Sequence, residues 1–197
     1  MTDRTATVRR TTGETRIELT LSLDGKGQAD AATGLGFLDH MLDALAKHAR
    51  LDLRVRCEGD THVDDHHTVE DCALVLGQAI DRALGDRRGI TRFGSAYAPL
   101  DEALARVVID LSGRPHASVD LGLARERLGD VACENVAHFF ESVASAARMA
   151  LHVDVLRGAN DHHRAEAAFK ACALALRAAV AQDPRIDGVP STKGTLA

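Results

Sequence analysis

Apolar and polar positions follow two different periods along this chain, and each period predicts a different kind of element. Period-two alternation runs through residues 5–25, 27–33 and 90–122, which predicts strands. Apolar residues three and four positions apart, from 38 to 49 and from 69 to 83, predict amphipathic helices. Further strand patterns at LDLRVRCEG and ALHVDVLRG each lie between two helices. Turn signals occur at Gly13, Asp24-Gly25 and Ser112-Gly113.

The helical part of this pattern occurs twice. The segment DDHHTVEDCALVLGQAI returns as NDHHRAEAAFKACALAL, and the buried helical stripe returns in the same register 96 residues later. An upstream amphipathic segment recurs after 98 residues, which aligns His40 with His138. The other recurring polar residues are Asp65, His66, His67 and Glu70, followed by Asp161, His162, His163 and Glu166. We interpret the chain as an internal duplication.

The duplication predicts an α+β fold with the order β-β-β-α-β-α in each half. The segment GDRRG at residues 85–89 is the natural boundary, so we expect half-repeats at 1–87 and 88–183. The tail at 184–197 holds two of the four prolines and has no periodicity. We therefore expect it to be an extended arm.

Composition excludes several classes of protein. The 197 residues are 45% apolar, which is enough for a sizeable core, but no apolar run is long enough for a membrane span or a signal peptide. The expected location is the cytoplasm. Four scattered cysteines predict reduced core residues and argue against a zinc ribbon or a disulfide framework. A net charge of −5 with no Trp argues against a nucleic-acid partner.

The repeated histidines point to metal chemistry. On a helix, residues i and i+4 share a face, whereas i and i+1 diverge by about 100°. His66 and Glu70 can therefore bind one ion together, while His67 must face elsewhere, and the duplication supplies a second centre. Roughly three His and one Glu per ion, without thiolates, favour Mn²⁺, Fe²⁺ or Zn²⁺ at an open site. The predicted ligands are His40, His66, His67, Glu70, His138, His162, His163 and Glu166.

Each of these residues has an ordinary structural interpretation when it is considered alone. A single His-His pair at a helix start is usually solvated, and a lone histidine on an apolar face is usually a core residue; the repetition argues against both. Three histidines without a counterpart in the other half are interpreted as surface or packing residues: His62, His116 and His152. By themselves, Arg92, Arg114 and Lys193 indicate ordinary surface charge.

Five motifs occur in order along the chain: GFLDHML, DDHHTVEDCALVLGQA, HFFES, NDHHRAEAAFKA and PSTKG. With them the sequence resembles the imidazoleglycerol-phosphate dehydratase family over essentially its whole length. The resemblance implies four helices packed against two mainly antiparallel sheets, a fold like domain 2 of ribosomal protein S5. It also implies two Mn²⁺ ions per active site, with Fe²⁺ or Zn²⁺ as alternatives. A homo-oligomer of about 24 subunits with shared active sites is further implied.

The same resemblance implies roles for individual residues. The metal ligands fall on the eight residues that the repeat singles out. The arm would complete a phosphate site formed by Arg92, Arg114, Lys170, Ser191, Thr192 and Lys193. Other substrate contacts would come from Glu14, His40, His48, His66, Glu70 and His162. The catalytic set would be Glu14, His40, His67, Glu70, His163 and Glu166.

The implied reaction removes water from imidazoleglycerol phosphate to form imidazole-acetol phosphate, a step of histidine biosynthesis. Metal ions would stabilise the substrate ring as an imidazolate, which expels the C3 hydroxyl to give a diazafulvene; loss of the C2 proton then restores the ring. Two alternatives stay open, a dinuclear metallohydrolase of a phosphorylated small molecule and a non-catalytic metal-binding assembly. Loss of one water without release of phosphate would exclude hydrolysis.

Overall fold

The first half of the chain forms a four-stranded sheet and two helices. The structure is a computed structural model that describes residues 4–196. Residues 1–3 and 197, the outer ends of the predicted first half-repeat and of the arm, lie outside the described residues. The elements are β1 (Thr5–Thr11), β2 (Thr15–Ser22), β3 (Ala29–Ala32), α1 (Gly36–Ala49), β4 (Asp52–Gly59) and α2 (His66–Leu84). The sheet order is β1-β2-β4-β3, with antiparallel pairs except for β3 and β4.

The second half repeats this arrangement with one addition. Its elements are β5 (Phe93–Leu100), β6 (Ala103–Asp110), β7 (His116–Asp120), β8 (Arg127–Leu128), β9 (Val131–Ala132), α3 (Cys133–Ala146), β10 (Ala150–Arg157) and α4 (Asp161–Val180). The sheet order is β5-β6-β10-β7, again with one parallel pair, between β7 and β10. The predicted α+β class and the duplicated order are confirmed.

The addition is the short β8–β9 hairpin, which the sequence patterns did not predict because a two-residue strand is too short to show a period. Between its strands, Asp130 accepts hydrogen bonds from the backbone N–H groups of Gly36 (2.6 Å) and Phe37 (3.0 Å). These groups begin α1, whose first N–H groups have no partner inside the helix. The hairpin of the second half thus caps the first helix of the first half.

The core lies between the sheets and the helices. Alternate residues of β2, such as Ile17, Leu19 and Leu21, are almost fully buried, and the apolar stripe of α2 covers this sheet as its 3–4 spacing predicts. Helix α4 covers the second sheet in the same way. Three of the four cysteines are buried and all four are free. In the described part of the chain, no helix combines the length and the apolar character needed to cross a membrane.

The helices pair across the two halves. Helix α1 packs against α4, and α2 packs against α3. Gly77 on α2 permits close approach of the second pair, because a Cβ there would lie only 2.7 Å from the Val143 carbonyl oxygen and from the Ala146 Cβ. Each helix pair therefore contains one member from each half of the chain.

The connection between the halves is anchored by a buried arginine. Arg87, in the GDRRG segment, is 2% exposed and donates hydrogen bonds to the carbonyl oxygens of Leu111, Ala147 and Arg148 and to Asp81. These acceptors belong to both halves, so Arg87 ties the linker to each of them. The division of the chain at residue 87 stays a prediction.

Candidate metal centre

The first cluster of candidate ligands lies between α2 and α3. His66 and Glu70 share one face of α2, as their i, i+4 spacing predicts, and His138 faces them from α3. The Glu70 carboxylate lies 3.2 Å from His138 Nε2 and 3.8 Å from His66 Nε2. The two imidazole rings are nearly parallel, with centroids 5.1 Å apart. We call these three residues the α2/α3 cluster.

The second cluster lies between α1 and α4. His40 on α1 faces His162 and Glu166 on α4. One oxygen of Glu166, Oε2, lies 3.2 Å from His40 Nε2 and 3.1 Å from His162 Nε2. We call these residues the α1/α4 cluster. In each cluster the three ligand atoms lie within 4.8 Å of one another, a separation that a single metal ion can bridge.

His67 and His163 face away from these clusters. Their rings stand nearly perpendicular to those of the preceding histidines, at 85° and 79°. His67 Nδ1 lies 3.0 Å from Asp60, and its Nε2 lies 3.5 Å from Glu14 at the β1–β2 turn. His163 Nδ1 lies 2.7 Å from Glu102 at the β5–β6 turn. In both halves, a carboxylate at a hairpin tip thus faces the outward histidine.

A single chain supplies only part of the expected ligand set. It brings two His and one Glu to each cluster, so about three His and one Glu per ion stays a prediction. His67 and His163 lie outside the clusters because adjacent helical residues diverge by about 100°. Nε2 of His67 lies 3.5 Å from Glu14, and Nε2 of His163 lies 3.9 Å from Asp101. Neither contact is a hydrogen bond, so both histidines can still bind an ion elsewhere.

Hydrogen bonds to the outward histidines also affect ionisation. The hydrogen bond to Asp60 raises the pKa of His67 above its ordinary value; partial burial opposes this shift, and Glu14 adds to it. The hydrogen bond from His163 lowers the pKa of Glu102 to about 2, with help from two backbone N–H groups. Glu102 thus stays an anionic partner on the Nδ1 side of His163, and Asp60 occupies the matching place beside His67.

A buried carboxylate supports the α2/α3 cluster. Asp65 is 2% exposed and accepts hydrogen bonds from Ala132 N–H (2.8 Å), Asn135 Nδ2 (2.8 Å) and Arg127 Nη2 (2.9 Å). Burial alone would raise the pKa of Asp65, but these donors lower it below the ordinary value. Asn135 in turn places its Oδ1 3.0 Å from His66 Nδ1. The N–H of His66 therefore points to Asn135, and Nε2 is free to bind an ion.

We expect Asp65→Ala to lower the free energy of unfolding by roughly 1–3 kcal/mol, because the buried amide of Asn135 and the backbone N–H of Ala132 lose their acceptor, whereas the half-exposed Arg127 guanidinium can turn to solvent. Since folding depresses the pKa of Asp65, its contribution is present above the unfolded pKa near 3.9 and is lost as pH falls. Denaturant titrations at pH 7 and pH 3 should therefore show a smaller difference between parent and variant in acid. Asp187→Ala, at an exposed position, is the control. A loss below 1 kcal/mol at pH 7 would contradict the assigned role.

A cleft adjoins the α1/α4 cluster. Its volume is about 400 Å³, and its lining includes His40, Ala44, His48, Glu166 and Lys170. Lys170 Nζ lies 2.7 Å from Glu166 Oε1. Burial alone would raise the pKa of Glu166, but hydrogen bonds from Lys170 and His40 lower it to about 2. Burial and the Lys170 charge lower the pKa of His48. The cleft thus places two predicted substrate contacts, His48 and Lys170, next to the cluster.

The predicted phosphate residues divide into two places. Lys170 lies in the cleft, whereas Arg92 forms an ion pair with Asp110 (2.7 Å) and donates to the carbonyl oxygen of Pro190 (2.9 Å). This contact brings the arm, with Ser191, Thr192 and Lys193, to the Arg92 side of the molecule. The backbone N–H of Lys193 donates to Ser191 Oγ (3.2 Å). Arg114 is exposed beyond the end of β6.

Sequence reasoning did not identify Asp60, Glu102 or Asn135. The only sequence signal for Glu102 is its place at a hairpin turn matching that of Glu14. Asn135 aligns with Phe37 in the repeat, so it lacked the matching polar residue in the other half by which the candidate ligands were recognised. Two histidines without a counterpart in the other half, His116 and His152, lie together on adjacent strands with ring centroids 5.6 Å apart.

Comparisons with known proteins show the family of this chain. The family model described as imidazoleglycerol-phosphate dehydratase matches residues 33–176. A relative of that name from Phytophthora nicotianae is 61% identical over 98% of this chain, which spans 43% of that longer protein. The one from Saccharomyces cerevisiae is 52% identical, with full coverage of both chains. The crystal structure of the Staphylococcus aureus enzyme has a TM-score of 0.82 and 38% identity, covering 91% of this chain and 99% of that one.

Proposed function

The chain belongs to the imidazoleglycerol-phosphate dehydratase family of hydro-lyases, and on that premise we propose that its two histidine–glutamate clusters bind divalent metal ions for the dehydration. The family supports the identity of the reaction, which forms part of histidine biosynthesis. The single observation that carries the metal proposal is the convergence of His40, His162 and Glu166, and of the matching triad, within 4.8 Å.

The donor atoms fit such ions. Each cluster offers two imidazole nitrogens and one carboxylate oxygen, a set that suits Mn²⁺, Fe²⁺ or Zn²⁺ and leaves positions open for substrate. When bound, the ions would supply Lewis acidity that stabilises negative charge on the substrate's imidazole ring. The hydrogen bond from His66 to Asn135 supports the proposal, because it leaves Nε2 as the free lone pair.

We assign His67 and His163 to the clusters of a neighbouring subunit. Three protein ligands leave up to three positions of an octahedral ion open, and both outward histidines are oriented through Nδ1 by a carboxylate. That arrangement is the usual one for a metal-binding histidine. A second copy of the chain is a natural source of a fourth protein ligand for each ion, which supports the proposal of active sites shared between subunits.

Glu14 is the residue to which we assign proton movement. The reaction removes a proton from C2 and a hydroxyl from C3 of the substrate, so it needs a group that accepts one proton and donates another. The Glu14 carboxylate is half exposed at the β1–β2 turn and lies 3.5 Å from the proposed ligand His67. It would thus stand beside the reacting carbons when His67 binds an ion.

The cationic residues would bind and orient the substrate's phosphate. Arg114 and Lys193 are exposed, and Arg92 holds the arm that carries Lys193. A guanidinium can form two parallel hydrogen bonds to a phosphate, which fixes both distance and direction. Lys170 would act from the separate cleft, so a complete phosphate site needs residues from both places. Manganese as the metal, an assembly of 24 subunits and a cytoplasmic location stay predictions.

The proposal is tested by assaying chelated protein with imidazoleglycerol phosphate before and after addition of Mn²⁺. We expect no turnover without metal and recovery with it, because the side chains of each cluster supply no Lewis acid of their own to stabilise negative charge on the substrate's ring. Mass spectrometry should detect a product lighter by one water and no free phosphate. Free phosphate would indicate a hydrolase instead. Full activity of rigorously metal-free protein would overturn the metal proposal.

A further inference from the structure

The two clusters derive from one repeated sequence, yet their surroundings differ. Where α3 has Asn135 beside the α2/α3 cluster, the aligned residue of α1 is Phe37. Where α4 has Lys170 beside Glu166, the aligned residue of α2 is Leu74. These two replacements act on a histidine ligand and on a carboxylate ligand, so they bear directly on metal affinity.

In the α2/α3 cluster, a hydrogen-bond acceptor orients one histidine and a carboxylate lies behind the other. The amide of Asn135 is itself fixed, because its Nδ2 donates to buried Asp65 and its Oδ1 must therefore face His66 Nδ1. On α3, the Glu141 carboxylate lies 3.5 Å from His138 Nδ1. An acceptor behind an imidazole fixes the tautomer and makes the opposite nitrogen more basic. His66 is therefore prepared to bind an ion through Nε2, and the Glu141 charge behind His138 favours the same arrangement there.

The histidines of the α1/α4 cluster lack this support. The Phe37 ring meets His162 edge to face, with centroids 5.6 Å apart, and a phenyl ring offers no lone pair in the plane of an N–H. Within residues 4–196, no acceptor is found at Nδ1 of His40 or His162. The His40 side chain is also 51% exposed, against 32% for His138. An ion that binds at this cluster must therefore first fix the orientation of the His40 and His162 rings.

The carboxylates differ as well. Both oxygens of Glu70 face histidines, whereas Glu166 gives Oε1 to Lys170 and only Oε2 to the cluster. The Lys170 ammonium partly neutralises Glu166 and repels an arriving divalent cation. The missing acceptors and the Lys170 charge both lower the metal affinity expected of the α1/α4 cluster relative to the α2/α3 cluster.

We propose that the two sites bind metal in order, the α2/α3 cluster first and at least about tenfold more tightly, and the α1/α4 cluster second as the exchangeable site. This inference rests on the proposed function, because it assumes that both clusters bind ions. The expected scale is the 10–100-fold loss of metal affinity that follows removal of a hydrogen-bond partner from a ligand.

The test uses the assembled protein loaded with Mn²⁺ and equilibrated against chelator buffers that set the free Mn²⁺ concentration. Elemental analysis should show retained manganese falling in two steps, separated by at least about tenfold in free Mn²⁺. His40→Ala should keep the tighter step, and His138→Ala should keep only the weaker one.

Matched variants assign the cause of the difference. Asn135→Leu should weaken the tighter step by about 10–100-fold, whereas Asn135→Asp, which keeps an acceptor, should largely retain it. Lys170→Met should tighten the weaker step by at least about threefold. Lys26→Met removes the same charge from a loop and should change neither step.

A single step for both ions, or a tighter step that survives in His138→Ala, would overturn the inference and leave the proposed function standing. An unchanged weaker step in Lys170→Met would also overturn it. Absence of retained manganese at every concentration would overturn the proposed function and this inference with it.

Discussion

Replacing Glu14 by glutamine is expected to lower kcat by about 10²–10⁴-fold, the usual contribution of a general acid–base group. Glutamine keeps the shape and the hydrogen-bonding reach of glutamate but cannot take up a proton. Since Glu14 lies beside His67 and outside both clusters, metal content should stay normal. Steady-state kinetics on protein of verified metal content is the measurement.

Arg114→Ala provides the contrasting variant. Arg114 would act on the phosphate in both ground and transition states, so its loss should raise KM strongly. If Glu14 were only a solvated side chain beside the Gly13 turn, Glu14→Gln would show near-normal turnover. A kcat within threefold of the parent would remove Glu14 from the mechanism.

His67→Ala is expected to lose bound metal and to lower kcat/KM by at least about a hundredfold, although His67 lies outside both clusters of its own chain. The reason is that the proposed ion at a subunit contact loses a direct ligand, which should cost more than the 10–100-fold typical of a ligand's hydrogen-bond partner. His163→Ala should behave likewise. Size-exclusion chromatography should show a smaller assembly for either variant, and for EDTA-treated parent protein.

Asp60→Asn is the matched control for His67, because it keeps the imidazole and weakens only the acceptor at Nδ1. Its metal affinity should fall by the smaller factor of about 10–100. His62→Ala removes a nearby exposed imidazole and should leave metal content unchanged. Full metal content and full assembly size in His67→Ala would show that His67 serves only its contacts with Asp60 and Glu14.

The sequence was sufficient to predict the order of the main elements and the shared helix face of His66 and Glu70. The repeat located both DHHxxE helices, and the i, i+4 rule correctly separated His66 from His67. Periodicity identifies the buried face of a helix but not the element that covers it. The crossed pairing of α1 with α4 could therefore not be derived, although His40 and Glu166 both stood out as candidate ligands.

The remaining parts of the site depend on contacts between distant segments. Asp130 caps α1 from 94 residues away, and Asn135 reaches His66 from 69 residues away. Neither residue belongs to a repeated motif, and both are common surface residue types. Their roles follow from helix packing, which no local pattern along the chain records.

The crossed helix pairs have an evolutionary consequence. Because each triad takes one histidine from each half, a chain of one half could form neither triad alone, whereas two copies related by a twofold axis could form both. An ancestor of half this length would thus have needed to dimerise, with two identical sites by symmetry. Tandem fusion of its gene would make that contact intramolecular and leave each site free to change separately, in keeping with Asn135 beside one triad and Phe37 beside the other.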